Sequence, residues 1–272
     1  MSGFSDIIPD ALYIADACNI AVTGAEKGGL APLLGDYARR ANGRLTCIDV
    51  SPSPSFLQWV ESTDSVQHIG LTSHDAISAL PDIDAWIIDS DYNWYSVYND
   101  LVLIEAQSQR NARPLLAFVH HIGWPCARRD LYFAPERIPA AFRHDHDFHG
   151  LVLPGNTALV PRPPESARQC FAFSSYEGGP RNGVLTAIED FIGEPTPGRE
   201  FCLAEVPGLF GLGILFDVAA PWSSAMADLV APFHCNKLLA TLETSRLATY
   251  LRVREHREAE RSDTHDRGQS AG

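Results

Sequence analysis

The run Ile20-Ala21-Val22-Thr23-Gly24-Ala25-Glu26-Lys27-Gly28-Gly29 decides how the chain reads. Four strand-forming residues stop at a glycine, and a glycine-rich loop follows. Leu33, Leu34, Tyr37 and Ala38 then recur at helical spacing until Asn42-Gly43, a helix stop signal. Working outward, Leu45-Thr46-Cys47-Ile48 reads as a second strand ending at Asp49, Val66 to Gly70 as a weaker third, and Ala85-Trp86-Ile87-Ile88 as a fourth ending at Asp89. Trp94, Val97, Tyr98, Leu101, Val102 and Glu105 predict a helix with one apolar face, and Leu115 to Val119 a fifth strand ending at His120-His121. Strands apolar on both faces that alternate with helices predict an α/β fold with a doubly wound, mostly parallel sheet.

In such a sheet ligands bind beyond the carboxyl ends of the strands. Gly24, Asp49, Asp89 and His120-His121 all stand where an apolar run stops. Glycines from Gly24 to Gly29 let a backbone approach a ligand closely and open a helix with free N–H groups. The spacing is neither GxGxxG nor that of a P-loop. Asp49 is placed to accept hydrogen bonds from the hydroxyls of a ribose, although a strand-ending Asp also serves as a turn residue.

The second half has a different texture. Gly123 to Pro164 is rich in Pro, Arg and His and predicts a long loop or lid. Further strands are expected at Cys170 to Phe173, Phe201 to Ala204 and Leu212 to Phe216, with a helix from Val184 to Phe191. His234 to about Arg261 reads as a long helix with Leu238, Leu239, Leu242, Leu247 and Leu251 on its apolar side, and 262–272 as a disordered tail. The expectation is therefore a single domain over residues 1–261, with the lid at about 123–164 and the helix at about 234–261.

Of 272 residues 45% are hydrophobic and 20% charged, which suits a packed globular protein. A net charge of −13 argues against broad nucleic-acid binding, because phosphate affinity comes from Lys and Arg. A small-molecule substrate is the expected partner. The first ten residues have no basic start, and no run approaches the ~20 apolar residues of a membrane span, so the expectation is a cytoplasmic protein without a membrane. Six cysteines without a CxxC pair predict reduced, mostly buried thiols.

Three longer blocks carry a resemblance. Thr23 to Gly29, Ile88-Asp89-Ser90-Asp91-Tyr92-Asn93-Trp94-Tyr95-Ser96-Val97-Tyr98-Asn99-Asp100, and His120-His121-Ile122-Gly123-Trp124-Pro125-Cys126-Ala127-Arg128-Arg129-Asp130-Leu131-Tyr132 with its continuation to Pro139 together resemble a bacterial group of class I S-adenosylmethionine-dependent methyltransferases. Gly178 to Phe191 and Pro207 to Gly213 look like later blocks of the same group. The resemblance covers most of residues 18–255. It implies a Rossmann-like, seven-stranded sheet with a reversed last hairpin. S-adenosylmethionine would lie over Gly24, Ala25, Glu26 and Gly28, with its ribose on Asp49 and its adenine near Ser73, His74 and Asp75.

Relatives that methylate oxygen on sugars and natural products hold a divalent cation, which lowers the pKa of a bound hydroxyl while a base takes its proton. Carried over by motif, the metal ligands are Asp89, Asp91, His120 and His121, the catalytic candidates His120, His121 and Tyr92, and the substrate contacts Trp124, Arg128 and Arg129. Three departures fall in this region. Val22 replaces an acidic residue, Tyr92 a His, and His121 an Asp. Of Mg, Mn, Fe or Zn, magnesium suits one Asp with two His least.

Simpler roles compete with these. Tyr92 beside Trp94 and Tyr95 reads as pocket wall, since a phenol titrates near ~10. Arg128-Arg129-Asp130 suits either an anionic substrate or internal ion pairing, and His144-Asp145-His146-Asp147-Phe148-His149 a solvated face. The leucines of the last helix suggest a homodimer. Two function classes remain: a small-molecule O-methyltransferase, or a relative that has lost methyl transfer and works as a cyclase, an isomerase or a non-catalytic partner subunit. An NAD-dependent dehydrogenase is disfavoured by the glycine spacing.

Overall fold

The structure, a computed structural model, describes residues 1–25, 29–80, 82–161, 169–194 and 197–269. In chain order its elements are α1 (Ile7–Ile14), β1 (Asn19–Thr23), α2 (Ala31–Arg40), β2 (Arg44–Ile48), α3 (Pro54–Glu61), β3 (Val66–Ile69), α4 (Ser73–Ala79), β4 (Ala85–Ile88), α5 (Trp94–Arg110), β5 (Leu116–His120), β6 (Leu131–Tyr132), β7 (His146–Asp147), β8 (Ala172–Ser174), α6 (Val184–Gly193), β9 (Phe201–Val206), β10 (Leu212–Asp217), α7 (Ser223–Val230) and α8 (Lys237–Gln269).

Seven strands form one sheet in the order β3-β2-β1-β4-β5-β10-β9. The first five run parallel, while β10 lies antiparallel to both β5 and β9, which makes the last hairpin the reversed one. Side-chain alternation divides each strand between two cores. Ile20 and Val22 of β1, Cys47 of β2 and Ile87 of β4 join α1, α2 and α7 on one face; Ala21, Ile48, Trp86 and Ile88 join α4, α5 and α6 on the other. Both faces are thus covered, as the continuous apolar runs require. Local chemistry starts the helices: Ser53, Thr72 and Asn93 each accept the N–H of the residue three positions on, in α3, α4 and α5.

The lid is more ordered than a loop. β6, β8 and β7 form a separate antiparallel sheet in that order, and bridges join Leu151 to Val160 and Ala158 to Tyr176. The segment Cys170 to Phe173, expected in the main sheet, supplies β8 of this small one, because Phe173 and Ala172 pair with Leu131 and Tyr132. Residues 162–168, which include the expected end of the lid, lie outside the described residues.

One carboxylate ties the lid to the body. Buried Asp130 accepts the backbone N–H of Trp94 at the start of α5 and of Gly183 ahead of α6, each at 2.7 Å, and the Tyr132 hydroxyl at 2.7 Å. Its own N–H donates to Asn182 Oδ1 at 2.7 Å. Gly183, at φ +94°, leaves no room for a Cβ, which would stand 2.5 Å from the Ala127 carbonyl oxygen. Arg128 makes a bidentate pair with Glu189 on α6. Arg129, fully buried, donates to the carbonyl oxygens of Ser174 and Thr157. The half-exposed Arg128 and the buried Arg129 thus both have partners within the chain, the internal pairing that the sequence offered beside a substrate contact.

α8 continues to Gln269, beyond the expected helix end at 261 and into the segment expected to be a disordered tail; residues 270–272 lie outside the described ones. Its leucines divide. Leu239 packs on the core and Leu247 is buried, whereas Leu238 and Leu242 are 67% and 56% exposed, because the helix touches the body along one narrow stripe. The six cysteines are unpaired, with Cys47 and Cys126 buried but Cys170 and Cys235 exposed. No helix among the described residues is long and apolar enough to cross a membrane.

Removing the hub should be expensive: Asp130→Ala leaves two buried N–H groups and a hydroxyl without an acceptor and is expected to lower stability by roughly 3 kcal/mol or more in urea titration. A loss below about 1 kcal/mol would mean that water replaces the carboxylate. Asp100, buried on α5 with a hydrogen bond to Ser73, has its carboxyl pushed up to about 8 by burial. An unfolded Asp titrates near ~4, so across that interval the folded protein holds a proton that the unfolded chain does not, and stability falls as pH rises from about 4 to about 8. Melting temperatures across that interval should decline in the wild type and decline less in Asp100→Asn; equal slopes would reject this account.

Candidate functional site

The sheet order changes direction between β1 and β4, which is where a doubly wound sheet opens a crevice. A cavity of about 160 Å³ lies at that place. Thr23 and Gly24 at the end of β1, Asp49 and Val50 after β2, Thr72 and Ser73 at the start of α4, and Ser90 and Asp91 after β4 line it, and Tyr132, Phe133, Ala134, Arg137 and Ile138 of the lid close the other side.

Gly24 is required here for two reasons. Its φ is +67°, and a Cβ would stand 2.4 Å from the Asp89 carbonyl oxygen. The contact that excludes a side chain is therefore protein backbone, which holds the ends of β1 and β4 together. Thr23 reinforces the same junction, its hydroxyl accepting the Asp89 N–H at 3.2 Å and the Ser90 hydroxyl at 3.1 Å. Asp49, half-buried in the cavity wall, accepts the Ser51 N–H through Oδ1 at 3.0 Å, so it serves its turn as well as facing the crevice.

The other donor-binding candidates separate. Ser73 lines the cavity, while His74 and Asp75 are exposed and do not; the Asp75 carboxylate accepts the hydroxyl of Thr72, the cap of α4, at 2.7 Å. Ala25 is buried in the core, as is Val22. Glu26 and Gly28 lie outside the described residues. Asp91 lines the cavity and accepts the Ser96 hydroxyl at 3.3 Å.

Across the next two strand ends, Asp89, His120 and His121 bring one ligand atom each to within 4.8 Å of one another. Among the described residues this is the one such group; the residues 144–149 form none. The donor chemistry suits a transition metal. The hydrogen bonding does not. His120 Nδ1 stands 2.7 Å from Asp89 Oδ1, and Nε2 stands 2.9 Å from the Leu209 carbonyl oxygen, so both ring nitrogens face acceptors. Asp91 lies outside the group.

His121 differs from its neighbour. It adopts φ +65°, a left-handed conformation uncommon for a residue with a Cβ, and its ring lies between Tyr92 at 3.9 Å and Phe210 at 5.1 Å. Burial, followed by the proximity of His120 and the Met1 amino group, holds this imidazole well below its ordinary pKa, in the neutral form. Its Nδ1 is buried without a hydrogen-bond partner. Tyr92 donates to the Asp89 carboxylate at 3.3 Å, and burial above all raises its pKa well beyond the ordinary phenol range. It is a wall and a donor, and not a base. Trp124 Nε1 is likewise buried without a partner.

Asp89, His120 and His121 do not line the cavity. The N-terminal segment covers them: Phe4 meets the His120 ring edge-on at 5.9 Å, and the Met1 amino group approaches Asp89 Oδ2 to 3.9 Å. Sequence reasoning missed this cover and also Leu209 and Phe210, although Pro207 to Gly213 stood out as a block.

No protein-family model matches the chain, and no curated protein matches it. Solved structures do. An S-adenosylhomocysteine-bound methyltransferase from Podospora anserina shares 12% identity, with 76% of each chain covered and a TM-score of 0.42. A 1,6-didemethyltoxoflavin-N1-methyltransferase from Burkholderia thailandensis, with 1,6-didemethyltoxoflavin and S-adenosylhomocysteine bound, shares 13% identity over 79% of this chain and 80% of that one, at a TM-score of 0.38. A chain of a fibrillarin/Nop5p complex shares 14% identity over 40% of this chain, at a TM-score of 0.30, and the present chain spans 52% of its length.

Proposed function

We propose that the protein transfers a methyl group from S-adenosylmethionine to a hydroxyl oxygen of a small molecule, such as a sugar or a natural-product scaffold. The observation that carries this reading is the crevice itself: Gly24 and Asp49 at the ends of β1 and β2 open beside Asp89, His120 and His121 at the ends of β4 and β5. When bound, the donor supplies an electrophilic methyl carbon on a cationic sulfur. Asp49 and Ser73 line the cavity and would hold the donor, Asp49 by accepting hydrogen bonds from ribose hydroxyls and Ser73 on the side of the base. The neutral His121 ring lies outside the cavity lining, and its unpartnered Nδ1 is the group that would take the proton of an acceptor hydroxyl admitted past the N-terminal cover, while Tyr92 and Phe210 hold the ring.

A divalent cation does not fit this arrangement. With His120 engaged on both sides, only Asp89 and His121 remain as ligands, fewer than the three that a catalytic zinc site uses. The proton transfer then relies on side chains alone. The exposed Leu238, Leu242, Tyr250 and Val253 of α8 support a homodimer.

One observation favours the second reading, a fold that keeps its pocket but has lost methyl transfer and serves as a cyclase, an isomerase or a partner subunit. The cavity of about 160 Å³ is smaller than the ~300 Å³ at which ligand pockets begin, and the N-terminal segment covers the histidine pair.

Isothermal titration separates the two readings from rejection of both. S-adenosylhomocysteine should bind the wild type, and Asp49→Ala should weaken it by about 10–100-fold, the loss of charge-assisted hydrogen bonds. No binding of donor or product at millimolar concentration would remove the methyltransferase reading. Given binding, a library of hydroxylated acceptors should yield methylated product, and His121→Gln should slow turnover by about 100-fold or more. Binding with no turnover on any acceptor would favour the second reading.

A further inference from the structure

The loop between β9 and β10 has an unusual backbone. Leu209 and Phe210 are consecutive residues with side chains, yet both are left-handed, at φ +48° and +70°. The N–H groups of the two residues turn to one side, and successive N–H groups of a turn that face the same way make a small anion-binding concavity. Here the anion is a side chain of the protein. Glu243 on α8 accepts the Leu209 N–H through Oε2 at 2.9 Å and the Phe210 N–H through Oε1 at 3.0 Å. Arg246, one turn on, holds the same carboxylate through Nε at 2.6 Å and Nη2 at 2.7 Å, and its guanidinium lies over the Phe210 ring at 4.5 Å.

The opposite side of the loop meets the histidine pair. The Leu209 carbonyl oxygen faces His120 Nε2 at 2.9 Å. The Phe210 ring stacks on His121 at 5.1 Å with an 11° angle between planes. The carbonyl oxygens of Phe210 and Gly211 accept the N–H groups of Gly123 and His121, at 2.6 and 3.0 Å. The donors of these two residues thus point to α8, and their acceptors and ring point to His120 and His121. A shift of the loop would move both imidazoles together.

We propose that Glu243 is a positioning residue, which fixes the rings of His120 and His121 through the Leu209–Phe210 backbone without touching either of them. The proposal rests on the reading of His121 as the base, with His120 beside it, but the contact chain can be tested without any turnover. Its distinguishing feature is a coupling between two signals, the amide pair on the helix side and the ring pair on the sheet side.

The test is NMR at one fixed pH on full-length protein with isotope-labelled backbone amides and histidine rings, the ring signals assigned through His120→Gln and His121→Gln. In Glu243→Gln and Glu243→Ala the Leu209 and Phe210 amide signals should move, and the ring signals of His120 and His121 should move with them. The ring of His68, bonded to the Asp49 carbonyl oxygen at the far side of the sheet, should stay in place. If the amides move while both rings stay, Glu243 only docks its helix and the proposal is overturned. Should Glu243→Ala fail to fold, the volume-conserving Glu243→Gln decides by the same signals. Where methyl turnover is measurable, Glu243→Gln should lower kcat by about 10–100-fold with the dissociation constant of S-adenosylhomocysteine unchanged. A protein that binds no S-adenosylhomocysteine would defeat the methyltransferase reading and leave the ring signals to decide on Glu243.

Discussion

A strand buried on both faces has nowhere to put a polar side chain except at its end. That constraint shapes the whole protein. β1, β4, β5 and β10 pack two apolar cores at once, so a carboxylate or imidazole in mid-strand would lose its hydration without a partner. Thr23, Asp89 and His120 therefore appear at the last strand position or just beyond it, and they find one another. The bond between Thr23 and the Asp89 N–H joins β1 to β4, the Asp89–His120 pair joins β4 to β5, and the His120 bond to Leu209 joins β5 to the loop before β10. Four strands of the sheet share one polar seam along their upper edge.

Much of this was legible because an apolar run that stops at Asp, Gly or His marks both a strand end and a place where chemistry collects. The helix from Trp94 was legible from its apolar spacing, whereas α3 and α4, of eight and seven residues, are too short to show such a period. What escaped was non-local. β8 has the same apolar look as a main-sheet strand, and only its pairing with Leu131 and Tyr132 assigns it to the lid. Arg128 and Arg129 lie side by side in sequence as a ready anion site, yet their partners, Glu189 and the carbonyl oxygens of Thr157 and Ser174, come from segments far along the chain. No periodicity announces that Leu209 and Phe210 are left-handed, since neither carries the glycine that normally signals it. The helix Ile7–Ile14 went unread because it is short and its buried residues, Ile8, Ala11 and Leu12, fall within a generally apolar stretch.

The departures from the methyltransferase pattern have a common physical sense in this setting. Val22 is buried among apolar side chains, where an acid would be unpaired. Tyr92 brings a ring that packs on His121 in tilted contact at 3.9 Å, a contact that a smaller imidazole would fill less completely. His121 in turn places a neutral ring between two aromatic ones, a position in which a carboxylate would be costly. The three changes replace charge by aromatic and aliphatic surface around the same seam.

The lid residues Tyr132, Phe133, Ala134, Arg137 and Ile138 form a wall of the crevice, and the lid is anchored at Asp130, only a few residues before them. Any molecule as large as a nucleoside has to part that wall on the way in and again on the way out. The anchor keeps the near end of the wall fixed, since Tyr132 is buried and its hydroxyl donates to Asp130.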